Sequence, residues 1–211
     1  MPAYLLCLAL ILTSPLVSAD QVAPLRIALE KQAQYQSVSV KVKQTKKIPA
    51  LTEDIVLTGH LWLVPGQAFR WQLGDPPVQS AVYNGTSVLL LDERKKTATA
   101  LAPDDRRAKP LLLMLGFGDG ASFAKMQQAF TVASTTTVGE HFVVTLMPKG
   151  SVKRALSSMV MQINTRTSFP ERIEWTQNDG TIVITEFSPP TIDKPLPTGV
   201  FEVKRENYAW E

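Results

Sequence analysis

The chain has 211 residues, of which 45% are hydrophobic and 19% charged, with 22 basic against 19 acidic side chains. A formal net charge of +3 and a pI near 9.0 are too mild a bias to argue for nucleic acid. The single cysteine, Cys7, excludes a disulfide scaffold or a thiolate metal site, so stability must come from a packed core.

The N-terminus reads as a cleavable secretory signal over residues 1–19. Leu5 to Val17 is an apolar run, and Val17-Ser18-Ala19 before Asp20 fits a small-residue cleavage site, although Met1 to Tyr4 carries no Lys or Arg. At about 1.5 Å per residue that run spans roughly 20 Å, short of the ~30 Å hydrocarbon core. Cleavage removes Cys7, which stands too early for lipid attachment, and leaves a thiol-free domain over residues 20–211. A soluble periplasmic monomer of one domain is expected.

From Pro24 to Gln36 the positions Leu25, Ala28, Leu29, Gln32 and Ala33 predict a helix with Pro24 in its first turn. Ser37 to Lys43 then alternates with period two, turning Val38, Val40 and Val42 inward. Lys46 to Thr52, which contains Pro49, is expected to be a loop before a strand over Ile55–Val64. In that strand Leu57, Gly59, Leu61 and Leu63 share one face, and Val56, Thr58, His60 and Trp62 the other. The pattern leaves open which of the two is inside. Phe69 to Leu73 puts Phe69, Trp71 and Leu73 opposite Arg70 and Gln72. Val78–Tyr83, an Asn84-Gly85 type I′ turn and Ser87–Asp92 complete a hairpin.

Lys96–Leu101 is the next strand, and Pro103–Lys109 a polar loop. Two short helices, Leu111–Leu115 and Ala121–Gln128, follow from the break at Gly116, Gly118 and Gly120. The first is apolar all round, so it is buried or lies over an apolar opening. Strands are predicted at Thr131–Thr137, His141–Pro148, Ser157–Asn164, Phe169–Gln177, Thr181–Ser188 and Val200–Lys204. Many short strands with few, local helices point to an antiparallel barrel or curled sheet.

Catalytic signals are thin. The two histidines, His60 and His141, lie far apart on predicted strands, and no zinc-protease, serine-elbow or phosphate-loop motif occurs. The Gly116-x-Gly118-x-Gly120 run does not follow a strand and reads as a hinge. No catalytic residue, cofactor or metal is expected. Basic residues group at Lys41–Lys47, at Arg94-Lys95-Lys96 and at Arg106-Arg107-Lys109. They are solvated loop and edge charges, or a surface for an acidic partner or anionic lipid head groups.

The order Gly59-x-Leu61-Trp62, Phe69-Arg70-Trp71, Asp75-Pro76, Asn84-Gly85, Leu90-Leu91-Asp92 resembles the periplasmic outer-membrane lipoprotein carrier (LolA) family. Pro110 to Gly116 with Phe130 is similar to that family's lid region. Ile163 to Ile173, Asp179-Gly180-Thr181 and Val200-Phe201-Glu202-Val203 are similar to its C-terminal strands. The resemblance implies a mainly β, half-open antiparallel barrel under a lid of short helices. It also implies a periplasmic carrier that takes lipoprotein acyl chains from the inner to the outer membrane. The partners so implied are an inner-membrane lipoprotein-release ABC transporter and an outer-membrane acceptor. Alternatives are a paralogue carrying another lipid or lipid-linked product, or a lipid-sensing regulatory module. The candidate lipid-binding residues are Leu61, Leu63, Phe69, Trp71, Leu111, Leu112, Leu113, Leu115, Phe123, Met126, Met159, Met161 and Trp175. The family's basic latch before proline is absent here, where the stretch reads Leu63-Val64-Pro65-Gly66. Closure of the lid is therefore expected to rest on apolar contact, with Arg70 in a surface or cross-strand charge pair.

Overall fold

The computed structural model describes residues 19–105, 107–115 and 123–211. Residues 1–18 of the expected signal, the glycine hinge at 116, 118 and 120, and Ala121 of the second lid helix lie outside them.

Helix α1 runs Ala19–Gln32. It starts earlier than its periodicity suggests and ends at Gln32, ahead of the expected Gln36. Pro24 sits inside it rather than in the first turn, and lacks the N–H that would bond back toward Asp20. The apolar stripe is as predicted, with Leu25 and Ala28 buried and Leu29 packed beside them. Burying one leucine contributes about 1.5–3 kcal/mol, far more than the helix propensity of a single residue.

The rest of the chain is one long, curled sheet. In chain order its strands are β1 (Val38–Lys47), β2 (Ile55–Val64), β3 (Ala68–Leu73), β4 (Gln79–Tyr83), β5 (Val88–Asp92) and β6 (Thr97–Leu101). Helices α2 (Lys109–Met114) and α3 (Phe123–Ala129) follow. Then come β7 (Phe130–Val138), β8 (His141–Pro148), β9 (Leu156–Asn164), β10 (Phe169–Gln177) and β11 (Ile182–Phe187), with the short β12 (Thr191–Ile192) and β13 (Ala209–Trp210) last. The hydrogen-bonded order is β13-β6-β5-β4-β3-β2-β1-β11-β10-β9-β8-β7, with β12 also on β1. Because β13 and β7 do not meet, the sheet is open: a mainly β, half-open barrel under helices, as expected. Its pairs are antiparallel except β13 with β6, which is parallel.

Three sequence expectations are corrected. Strand β1 continues through Lys47 into the expected loop, because β2 and β11 both offer ladder partners there, Lys46 to Ile55 and Lys47 to Ile182. The Asn84-Gly85 turn is not type I′. Tyr83 pairs with Val88 across a four-residue loop, and only Gly85 has positive φ, at 92°. The Asn84 side chain builds the turn itself, its Oδ1 accepting from the N–H groups of Thr86 and Ser87 at 3.1 and 3.0 Å. Val200–Lys204 is not a strand. It turns through Gly199 (φ 70°), with the Glu202 N–H donating to the Gly199 carbonyl at 2.9 Å. The last strand is β13 instead.

The question of faces in β2 is settled by burial. Leu61 and Leu63 are buried with Phe69, Trp71 and Leu73 of β3 and Val38, Val40 and Val42 of β1, on the concave side. His60 and Trp62 stack on the convex side, with ring centroids 4.3 Å apart. A Cβ at Gly59 would collide with the Gln72 carbonyl, so glycine permits the close approach of β2 and β3 where the sheet bends.

The convex side carries a second apolar cluster. Val82, Leu89, Leu91 and Ala98 from β4, β5 and β6 are covered by Val203, Tyr208 and Trp210 of the C-terminal segment. That segment crosses the outside of the sheet as a strap. Arg70 reaches it through the carbonyl oxygens of Val200 (3.5 Å) and Glu202 (3.3 Å), and pairs with Glu93 at 3.5 Å.

Candidate functional site

Curling a sheet of this length turns its two halves toward each other, so strands remote in the ladder face one another across the concave space. One half supplies Trp71 and Leu73 (β3), Ala81 (β4), Leu90 (β5) and Thr99 (β6). The other supplies Gln44 (β1) and Trp175 (β10), and α2 adds Leu111. Between them lies a cavity of about 640 Å³, inside the range of about 300–1,000 Å³ typical of small-molecule sites.

The wall is apolar with sparse polar points. Trp71 is 5% exposed and meets Phe187 edge-on at 6.1 Å, and Phe187 meets Phe169 in the same manner at 6.0 Å. The indole N–H groups of Trp71 and Trp175 are buried without a hydrogen-bond partner among the described residues. A buried donor left unpaired costs about 1–3 kcal/mol.

At one end the lining becomes charged. Asp92, Arg94 and Lys95, at the β5–β6 turn, stand with Arg107, which precedes α2. The Asp92 carboxylate builds that turn by accepting from the Lys95 N–H at 2.8 Å and the Arg94 N–H at 3.0 Å. The Lys95 N–H, followed by that of Arg94 and by the charges of the two side chains, holds the Asp92 carboxyl below the usual carboxylate range despite the opposing effect of desolvation. The Lys95 ammonium is 3.9 Å from Asp92, a loose contact, and Arg107 is paired with Asp105 at 3.2 Å.

Of the thirteen residues singled out in the sequence, Trp71, Trp175 and Leu111 line the cavity. Leu61, Leu63, Phe69, Leu112, Met159 and Met161 are buried in the apolar cluster behind it, and Phe69 is fully enclosed. Leu115, Phe123 and Met126 are half-buried against the same cluster, which joins α2 and α3 to the concave face. Leu113 belongs to α2, but its side chain lies outside the described residues. The sequence list omitted Leu73, Ala81 and Leu90. Strict alternation from Trp71, and along β4 and β5, puts all three on the concave side and was sufficient to find them.

Two other polar groupings stand on the convex side or at its edge. The Ser39 hydroxyl is 2.7 Å from His60 Nε2. Burial and then the Lys41 charge push the His60 pKa down. His141 Nδ1 is 2.9 Å from Glu171 at the start of β8. Among the described residues no group of three or more His, Cys, Asp or Glu side chains is placed to hold a metal. No described helix is long and apolar enough to cross a membrane.

Comparison with known proteins adds family and fold. The family described as "Outer membrane lipoprotein carrier protein LolA" matches residues 33–204. No curated protein matches the chain significantly. Among solved structures, an uncharacterized conserved protein from Thermus thermophilus is similar at 9% identity and a TM-score of 0.52, over 88% of this chain and 96% of that one. A DUF1329 family protein from Desulfovibrio piger is similar at 7% identity and 0.51, over 89% and 98%. MucB is similar at 13% identity and 0.51, over 90% of this chain and 64% of its own. At these identities the likeness is one of fold.

Proposed function

We propose that this chain, which belongs to the outer membrane lipoprotein carrier (LolA) family, is a periplasmic carrier that shields lipoprotein acyl chains between the inner and outer membranes. The observation that carries this reading is the cavity of about 640 Å³ between Trp71, Leu73 and Leu90 on one wall and Trp175 on the other, with Leu111 of α2 over it. Each methylene taken out of water contributes roughly 0.8 kcal/mol. A chain of a dozen or more methylenes can therefore offset much of its withdrawal from a bilayer. An inner-membrane release transporter would load the cavity and an outer-membrane acceptor would empty it.

The function rests on binding rather than on covalent chemistry. The Ser39–His60 pair has the spacing of a nucleophile and base, but it lies on the convex face, away from the cavity, with the Lys41 charge acting on the histidine. Replacing Ser39 and His60 together by alanine should leave acyl binding intact. A hydrolytic activity that vanished in that variant would count against this part of the reading.

The test of the carrier is direct. The protein without residues 1–19 should bind a fluorescent fatty-acyl probe saturably at micromolar concentration, and lipoproteins should be recovered with it from periplasm. Absence of saturable probe binding would overturn the reading. Recovery of one stoichiometric protein partner without acyl chains would favour the regulatory alternative.

A further inference from the structure

The cavity has a chemically distinct end, and resting on the acyl-binding reading, the geometry points to a ligand with an anionic head. We infer that the site takes an amphiphile whose acyl chain lies between Trp71 and Trp175 and whose carboxylate or phosphate sits at Arg94, Lys95 and Arg107. The observation that supports this is the convergence of two basic groups that are separate in sequence, the β5–β6 turn and the segment before α2, on the lining of one apolar cavity. Two other members of those groups are committed elsewhere, and Arg106 lies outside the described residues. Lys96 pairs with Glu93 at 3.3 Å, and Lys109 donates to the Ser151 hydroxyl at 3.1 Å.

The charges at this end are not all spent. Arg94 has no ion-pair partner among the described residues, and the Lys95–Asp92 contact is long, with the Lys95 side chain 78% exposed. An exposed pair of that kind is worth little, so an incoming anion can exchange for it. Arg107 keeps its pairing with Asp105 and contributes field rather than a direct bond. An arginine that presents several N–H donors is well matched to a carboxylate or phosphate.

The experiment displaces an uncharged fluorescent acyl probe with lipids that share one chain length. The anionic arms are palmitate and palmitoyl-lysophosphatidylglycerol, and the zwitterionic arm is palmitoyl-lysophosphatidylcholine. At low salt the anionic lipids should bind at least about tenfold tighter than the zwitterionic one, and the gap should shrink at high salt. The better of the two anionic arms identifies carboxylate or phosphate as the head. The double variant Arg94→Gln, Lys95→Gln, at exposed positions, should lose the preference while holding the uncharged probe as before. Equal affinity for all three lipids in the unaltered protein would overturn the head-group assignment while leaving the acyl cavity standing. Failure to bind even the uncharged probe would overturn the cavity reading itself.

Discussion

Arg70, Ser80, Glu93, Lys96 and Tyr208 form a polar knot that ties the C-terminal strap to the outside of the sheet. The Glu93 side chain, 8% exposed, accepts from the Tyr208 hydroxyl at 2.7 Å and from the Ser80 hydroxyl at 2.9 Å, with Arg70 at 3.5 Å. Burial alone would raise the Glu93 pKa, but the hydrogen bonds from Tyr208, Ser80 and Lys96 and the Lys96 charge outweigh it, leaving the carboxyl below its ordinary value of 4.5. The Tyr208 phenol moves the other way, pushed up to about 12 by burial and then by its bond to Glu93 and that carboxylate's charge. The signs fix a pH window. A depressed carboxyl stabilises the fold above its unfolded pKa and loses that contribution as pH falls through the folded one. A raised phenol contributes below about 10 and loses its contribution as pH rises toward 12. The strap should therefore be most firmly held between about pH 5 and 10. Amide exchange of residues 199–211 measured against pH should show this, and Tyr208→Phe should speed that exchange at neutral pH and destabilise the fold by about 1–3 kcal/mol. Exchange indifferent to both changes would mean that the knot does not hold the strap.

At the scale of elements, the strands were legible wherever one face was wet and the other dry. Ile55–Val64, His141–Pro148 and Phe169–Gln177 were placed to the residue, because alternation there coincides with turn residues at both ends. Val200–Lys204 was misread, since β-branched and aromatic residues also suit a segment that lies flat on an apolar surface without pairing. The end of β1 was missed because strand pairing from both sides overrides a sequence of lysines and threonine. The basic groups could be seen in the sequence, but their meeting at one cavity depends on the long-range curl of the sheet and could not. Two variants probe the elements that shape the site. Gly59→Ala should destabilise the fold by about 1–3 kcal/mol, as its methyl group is forced against the Gln72 backbone. A melting temperature unchanged by that substitution would refute the close approach of β2 and β3. Leu111→Glu should abolish acyl-probe binding with the far-ultraviolet circular dichroism unchanged, because a carboxylate in that wall must be desolvated. Undiminished affinity in the folded variant would show that α2 does not cover the ligand.

Across the whole molecule, an open sheet is closed on its two faces by different means. The strap seals the convex side of β4–β6, and the helices cover the concave side, where the apolar surface is too large and too aromatic to be left wet. In the proposed carrier, such a division would let the covering helices move for loading and release of an acyl chain while the strap and sheet keep their register. The four tryptophans report on this division, since Trp71 and Trp175 line the cavity whereas Trp62 and Trp210 lie on the convex side. A fatty acid brominated along its chain quenches indole emission only at contact. Titrating it into the protein should quench the cavity pair saturably. In the double variant Trp71→Phe, Trp175→Phe, the remaining emission should stay unquenched even though a displacement assay shows the acid still bound. Quenching that persists undiminished in that variant would place the acyl chain on the convex side and contradict the account.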